Sequence, residues 1–238
     1  PEPYLYVIML TGKDRKEDVL EGLSAGADDY LTKPFDPRDL AARLRTAKRI
    51  VDLQADLIAA REALRVQATH DPLTEIWNRG ALLEVLGREL VRAKRAQIPL
   101  CLGIIDLDNF KAVNDAHGHQ AGDAVLREAV ARMKHSLRAY DALGRWGGEE
   151  FLLVFPECDA AAGRVAAERM RARVADGPVR FGDADIKVTC SVGLADAGLE
   201  LGWDSDLLLS AADKAVYRAK LAGRNRVIVA EKADAHKR

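Results

Sequence analysis

Apolar and polar positions follow three different rhythms along this chain. At the N-terminal end, Tyr4-Leu5-Tyr6-Val7-Ile8-Met9-Leu10 is a short apolar run, as in a buried parallel strand. A helix through Val19, Leu20 and Leu23 follows, closed by Gly26. Asp29-Tyr30-Leu31-Thr32 then reads as a second strand, broken by Pro34. Two strands and a helix are too little for an independent core. Residues 1–37 therefore read as a fragment of something larger.

Residues 38–68 contain no Gly or Pro and are rich in Ala, Leu, Arg, Glu and Gln, which predicts one long helix. Leu40, Leu44, Ala47 and Val51 form one apolar stripe. Ile50, Leu53, Leu57, Ala60 and Leu64 form a second, alternating three and four apart. That is the seam of a two-stranded coiled coil, sustained for about two heptads. An amphipathic helix lying on its own domain gives the same stripe.

Residues 69–230 change rhythm again. Helix 79–96 carries Leu82, Leu83, Leu86 and Leu90 on one face, and Leu100-Cys101-Leu102-Gly103-Ile104-Ile105 is a buried strand. A helix over 121–137 follows a Gly-rich turn. A hairpin runs from Arg138 through Gly147-Gly148 to Phe151-Leu152-Leu153-Val154-Phe155. Helix 159–174, strand 185–195, helix 205–221 and strand 226–229 complete the domain. The order predicts an α+β fold, a sheet with helices on one face rather than a doubly wound one. Residues 231–238 read as a solvated tail.

Composition narrows the function classes. Lys plus Arg number 36 against 37 Asp plus Glu, so charge alone suggests neither a nucleic-acid nor a membrane partner. Cys101, Cys158 and Cys190 are too few and scattered for a disulfide framework, and no CxxC pair suggests zinc. No apolar run reaches 18 residues and no signal peptide is evident, so a cytoplasmic protein is the expectation.

Two stretches carry chemistry. Ile104-Ile105-Asp106-Leu107-Asp108-Asn109-Phe110-Lys111 delivers a carboxylate at a strand's C-terminal end. Asp108 is placed to cap the next helix, whose free amides at Asn109, Phe110 and Lys111 would form an anion site. Such a pairing suits magnesium–nucleotide chemistry; a plain helix cap fits as well. Gly147-Gly148-Glu149-Glu150-Phe151 is a tight turn followed by two carboxylates that strand alternation points to opposite sides. By itself it is also an ordinary charged hairpin tip.

Together these residues resemble the GGDEF family of diguanylate cyclases, with Gly147-Gly148-Glu149-Glu150-Phe151 as its signature loop in the Glu variant. Asp71-Pro72-Leu73-Thr74 with Asn78-Arg79 resembles the family's opening, and Asp106 to Asp115 its D-x-D-x-F-K-x-x-N-D. Gly118-His119-Gln120-Ala121-Gly122-Asp123, Ser191-Val192-Gly193, Ala212 to Lys220 and Gly223-Arg224-Asn225 match later motifs in order. Glu75-Ile76 stands where the family often has Gly-Leu.

The resemblance implies a palm-like sheet of the nucleotidyl cyclase (ferredoxin-like) type with flanking helices, behind a long helix and a partial α/β receiver domain. It implies condensation of two GTP into cyclic di-GMP by a homodimer. Asp106, the Leu107 carbonyl and Glu149 would hold two Mg²⁺ ions, with Mn²⁺ as a substitute. Glu149 would help deprotonate the attacking 3′-hydroxyl. Asn114 and Asp123 would read guanine with His119 nearby. The Asn109, Phe110 and Lys111 amides, Lys220 and Arg224 would hold the triphosphate. Glu150 would shape the loop.

Arg138-Ala139-Tyr140-Asp141 stands five residues before Gly147, as in the family's inhibitory product-binding site. A surface ion pair is the plainer reading of the same residues. Residues 1–37 resemble the C-terminal half of a response-regulator receiver domain, with Thr11 as the switch hydroxyl and Lys33-Pro34 as its Lys-Pro pair. The phospho-acceptor Asp of that family has no counterpart here. An upstream histidine kinase would act on the full-length protein. Competing readings are a catalytically inactive GGDEF sensor of cyclic di-GMP or GTP, a cyclase making mixed dinucleotides, and a dimerising scaffold. Asp123 favours guanine, because a carboxylate accepts two guanine N–H donors.

Overall fold

The computed structural model describes residues 4–12, 16–198, 202–231 and 234. They fall into two compact units, residues 1–66 and 67–238.

In the first unit, β1 (Ile8–Thr11) and β2 (Asp29–Thr32) pair in parallel, with Ile8 opposite Asp29. Helix α1 (Lys16–Ser24) packs on β1 so closely that a Cβ on Gly22 would sit 2.4 Å from the Met9 Cε. The apolar run was expected to be strand from Tyr4, but pairing starts at Ile8. Asp28 explains the delay: it accepts the Val7 amide at 2.7 Å and the Tyr4 hydroxyl. Thr11 and Lys33 are brought together at the strand ends, where the Lys33 amide donates to the Thr11 carbonyl at 2.7 Å. Helix α2 runs unbroken over Pro37–Thr69. Ile50, Leu53, Leu57, Ile58 and Leu64 are exposed along it, and Ala47 is buried.

The second unit is built on a five-stranded sheet ordered β4-β5-β3-β8-β9, with β3 (Leu100–Leu107) at its centre. Strands β5 (Glu150–Pro156) and β8 (Cys190–Ala197) flank β3 antiparallel, β4 (Ala142–Arg145) pairs antiparallel with β5, and β9 (Val227–Val229) is parallel to β8.

Helices cover both faces of this sheet, which corrects the one-face expectation. All eight residues of β3 are buried. Leu100, Leu102 and Ile104 pack with α3 (Arg79–Ala96) and α7 (Ser205–Leu221). Cys101, Ile105 and Leu107 pack with α5 (His119–Lys134) and α6 (Ala160–Val174). A strand apolar at successive positions needs cover on both sides. The short helix α4 (Phe110–His117) lies between β3 and α5.

Two boundaries moved for local reasons. The hairpin's first arm begins at Ala142, because Asp141 accepts the Arg138 amide at 2.8 Å and closes a turn. Strand 185–195 is really two pieces. Gly182, with φ +59°, turns a small hairpin of β6 (Val179–Phe181) and β7 (Ala184–Ile186), and β8 starts only at Cys190. Of the 231–238 tail, Glu231 and Asp234 are described, the remainder lying outside the described residues. Asp234 is not solvated as expected: it pairs with Arg218 of α7 at 2.9 Å.

Sheet and helix pack very closely at Gly193. A Cβ there would lie 2.1 Å from the Ala212 carbonyl oxygen and 2.4 Å from the Val216 amide nitrogen. Both are backbone atoms and cannot swing aside. Gly193→Ala is expected to cost about 3 kcal/mol, a drop of roughly 6–12 °C in the thermal midpoint. A fall of under about 2 °C by calorimetry would show that α7 lifts off β8 easily.

Candidate active site

Asp106 closes β3 at its C-terminal end, opposite Glu150 on β5 and Ser191 on β8. It is 4% exposed, on the α7 side of the sheet. Lys220, in the last turn of α7, donates from Nζ to Asp106 Oδ2 at 2.6 Å. Burial pushes the Asp106 carboxyl above its ordinary range. The Lys220 hydrogen bond and charge pull it back, Asp108 pushes it up, and Arg224 lowers it.

Glu149 sits in the turn just before β5, and its carbonyl accepts the Leu107 amide at 3.2 Å. Burial raises its pKa first, then the charge of Asp106. Glu150 is raised by burial, then by Asp106 and by Asp213 of α7. The Asp106 charge acts on both glutamates; Glu149 lies in the turn and β5 begins at Glu150.

Asp108 is not the helix cap. The N-cap of α4 is Asn109, in the left-handed region at φ 57°, with no side-chain cap bond. Asp108 is instead buried and accepts the Thr189 hydroxyl at 2.7 Å, the Ser191 hydroxyl at 2.7 Å and the Asn225 amide at 3.0 Å. It ties β8 and the loop after α7 to the end of β3. That loop carries Arg224, at φ 64°, and is pinned again by Arg171 bonding Asn225 at 2.6 Å. Leaving α4 without a side-chain cap keeps its first amides, at Phe110 and Lys111, open to an anion.

On the other flank of α4, the Asn114 side chain rests on bare backbone. A Cβ on Gly122 would stand 2.0 Å from Asn114 Oδ1. Asp123 follows directly on α5, and His119 is exposed at the start of that helix. The structure thus gathers Asp106, Glu149, Lys220 and Arg224 at one end of the sheet. Asn114 and Asp123 flank Gly122 on α4 and α5.

Arg138 and Asp141 lie apart from these residues, in the turn before β4. The Arg138 guanidinium bonds the Tyr140 hydroxyl at 3.1 Å, while Asp141 takes the Arg138 amide. Both line a cavity of about 400 Å³ with His70, Trp77, Lys134 and Leu143. Burial raises the Asp141 pKa, and Arg138 and then Arg169 of α6 oppose it. Arg169 was missed in the sequence, as were Asp213 and Arg145. Arg169 and Asp213 are distant along the chain from Asp141 and Glu150, and Arg145, two residues before Gly147, carried a positional signal although its partner Asp71 is 74 residues away.

No group of three or more His, Cys, Asp or Glu side chains is arranged to hold a metal among the described residues. Two carboxylates and a carbonyl are nevertheless the partial set that Mg²⁺ takes when phosphates supply the other oxygens. Burial raises the pKa of both Asp106 and Glu149, and the Asp106 charge raises Glu149 further; a divalent cation would offset both effects. The residues fit the ion.

The family described as Diguanylate cyclase, GGDEF domain, matches residues 68–226. This chain belongs to the GGDEF family. The Response regulator receiver domain family matches residues 2–45. Diguanylate cyclase DgcP of Pseudomonas aeruginosa is 38% identical over 217 residues, 89% of this chain and 32% of that protein. Response regulator PleD of Caulobacter vibrioides is 36% identical over 230 residues, 94% of this chain and 50% of that protein. The chain thus spans a third to a half of these relatives. The coiled coil and GGDEF domain of DgcB from Caulobacter crescentus, solved with c-di-GMP, superposes with a TM-score of 0.70 at 30% identity, covering 80% of this chain and 99% of that one. The palm-like α+β fold of this GGDEF chain follows from these matches. No described helix is long and apolar enough to cross a membrane.

Proposed function

We propose that this chain is a diguanylate cyclase that condenses two GTP into cyclic di-GMP with release of two pyrophosphates. The observation that carries this reading is the gathering of Asp106, Glu149 and Lys220 at the end of β3, beside the α4 start that no side chain caps. The similarity to Diguanylate cyclase DgcP and to DgcB, solved in complex with c-di-GMP, supports it.

Each GTP must lose pyrophosphate as a 3′-oxygen attacks its α-phosphorus, so the site's work is positioning and charge stabilisation. Two Mg²⁺ ions held by Asp106, Glu149 and the Leu107 carbonyl would stabilise the attacking and leaving oxygens, and Mn²⁺ would serve in their place. Glu149 accepts the proton of the 3′-hydroxyl. The first amides of α4, around Asn109, Phe110 and Lys111, take the terminal phosphates, together with Lys220 and Arg224. Lys220 exchanges its bond to Asp106 for phosphate when substrate arrives. Asn114 and Asp123 read the guanine edge, with His119 at the rim. Glu150, beside Gly147, shapes the turn; its Oε2 lies 3.2 Å from where a Gly147 Cβ would be.

One domain holds one GTP, so two copies must meet. The exposed stripe of Ile50, Leu53, Leu57 and Leu64 suits a coiled-coil seam between them. Domain boundaries at 1–37, 38–68, 69–230 and 231–238 suit this division of labour. Arg138 and Asp141 bind product as a feedback site. A receiver at the N-terminus suits control by a histidine kinase in the full-length protein, in a cytoplasmic setting where GTP is available.

Incubation with GTP and Mg²⁺, followed by chromatography, tests the reading. Cyclic di-GMP is the expected product. Binding without turnover would make the domain a sensor, and mixed dinucleotides from GTP plus ATP would revise the base preference. Removing residues 1–66 is expected to lower specific activity about tenfold or more at nanomolar protein, because linked sites owe their encounter to effective concentration. Full activity of that truncation at high dilution would discard α2 as the dimerising element.

A further inference from the structure

Arg145 ends β4, four residues before Glu149. Its guanidinium spans two segments that lie far apart in sequence. Nη2 and Nε donate to the Gly148 carbonyl at 2.9 and 3.2 Å. Nη1 donates to both carboxylate oxygens of Asp71 at 3.2 Å each. The side chains of Arg145 and Asp71 are only 20% and 15% exposed.

Asp71 cannot turn away from this contact. Its Oδ1 also accepts the Thr74 hydroxyl at 2.6 Å and the Thr74 amide at 2.9 Å. The Asp71 amide donates to the Ile76 carbonyl, and the Glu75 amide donates to the Asp71 carbonyl. Glu75 stands at φ 56° where the family often has Gly, so this turn keeps its shape against an unfavourable residue. The Arg145 amide is fixed as well, donating to the Trp77 carbonyl at 2.8 Å.

The signature turn is closed by the Trp146 and Gly147 amides, which donate to the Glu150 carbonyl at 2.8 and 3.3 Å, but neither bond fixes the Gly148 carbonyl. Two successive glycines give it wide conformational freedom. Nothing lies within 4 Å of where a Cβ on Gly148 would be, so packing does not restrain that residue. The Gly148 carbonyl sets the plane of the peptide leading into Glu149. The carbonyl of Glu149 itself is held by the Leu107 amide. Glu149 is therefore suspended between two anchored peptides, one fixed by the β3 end and one by Arg145.

We infer that Arg145 is a positioning residue for Glu149, and that Asp71-Pro72-Leu73-Thr74 is the mount that orients Arg145. The Asp-x-Leu-Thr segment, which has no other role in the site, is thereby part of the catalytic architecture. Arg145 touches no substrate; it acts through the Gly148 carbonyl. The planar fork is required, because a lysine ammonium is a point charge that cannot serve Asp71 and Gly148 with fixed geometry. This inference rests on the cyclase reading for its kinetic effect, but not for its effect on the loop.

The test uses the full chain with Arg145→Ala, Arg145→Lys and Asp71→Asn. Without nucleotide, Arg145→Ala is expected to speed hydrogen exchange at Gly147–Glu149 and leave Phe151–Phe155 and β3 as protected as before. With GTP and Mg²⁺, kcat is expected to fall about 10–100-fold with KM changed less than about threefold, the signature of a misplaced reacting group. Arg145→Lys is expected to recover little of the loss, and Asp71→Asn to lose less than Arg145→Ala. Should Arg145→Ala fail to fold, the two milder variants decide by the same readouts. Unchanged exchange at Gly147–Glu149 would overturn the inference, as would exchange rising equally over the whole sheet or full rescue by lysine. If wild type makes no cyclic di-GMP, the cyclase reading fails while the exchange arm still decides whether the clamp holds the loop.

Discussion

Glu149→Gln is expected to lower cyclic di-GMP formation by about 10³-fold or more while GTP still binds. The substitution keeps the shape of the side chain and removes its charge and basicity. In the folded chain, burial and the Asp106 charge already hold the Glu149 carboxyl above its ordinary range. Asp106 and Glu149 would both serve as anionic ligands to a Mg²⁺ ion, which would offset the rise in their pKa. With Gln, Asp106 keeps its bond to Lys220 and the cation loses an anionic ligand. Binding should survive, because Asn114, Asp123, Lys220 and Arg224 are untouched and carry base and phosphate contacts on the proposed reading. Calorimetric titration with GTP and a product assay on the same preparation separate the two effects. Turnover within about tenfold of wild type would remove Glu149 from the chemistry.

Much of this fold was legible because its core strand and longest helices carry unmixed signals. Leu100 to Ile105 is apolar at successive positions, apart from Gly103, and helices 79–96 and 205–221 lie where their apolar periodicity put them. The same run also held the clue that was misread. A strand apolar on both faces calls for helices on both faces, and Leu102 and Ile105 indeed serve opposite layers. Element order alone suggested one covered face, and order is the weaker signal when a strand has no polar side.

Legibility of the candidate site divides in the same way. Asp106, Glu149 and Lys220 were marked by motif position, and the fold brings them within reach of one another. Asp108 was misjudged because a carboxylate before a helix is usually a cap. Its three donors, Thr189, Ser191 and the Asn225 amide, come from more than 80 residues away. Arg145 was passed over for the same reason: Asp71 is 74 residues distant. Local rules read caps and turns well. They do not see a charged side chain whose purpose is to join two segments.

Arg138→Ala is expected to weaken cyclic di-GMP binding on the order of 10–1,000-fold, the loss of one bidentate charge-assisted contact. Product inhibition should ease and the initial rate should stay near wild type, because Arg138 lies outside the group around Asp106. The free chain holds this arginine loosely. Its guanidinium bonds the exposed Tyr140 hydroxyl at 3.1 Å and lies 5.8 Å from that ring, so an incoming guanine or phosphate displaces little. Asp141 is fixed by the Arg138 amide, and Arg138 and Arg169 oppose the rise that burial gives its pKa. The adjoining cavity of about 400 Å³ reaches His70 and Trp77, the segment that also orients Arg145 through the Trp77 carbonyl. Bound product would then inhibit by linking two domains so that their GTP sites cannot meet, a coupling that needs two distinguishable arrangements. Titration calorimetry with cyclic di-GMP, run beside full progress curves for wild type and variant, measures both consequences. Equal affinity and equally curved progress curves in the two proteins would leave Arg138 and Asp141 as a structural turn before β4 and nothing more.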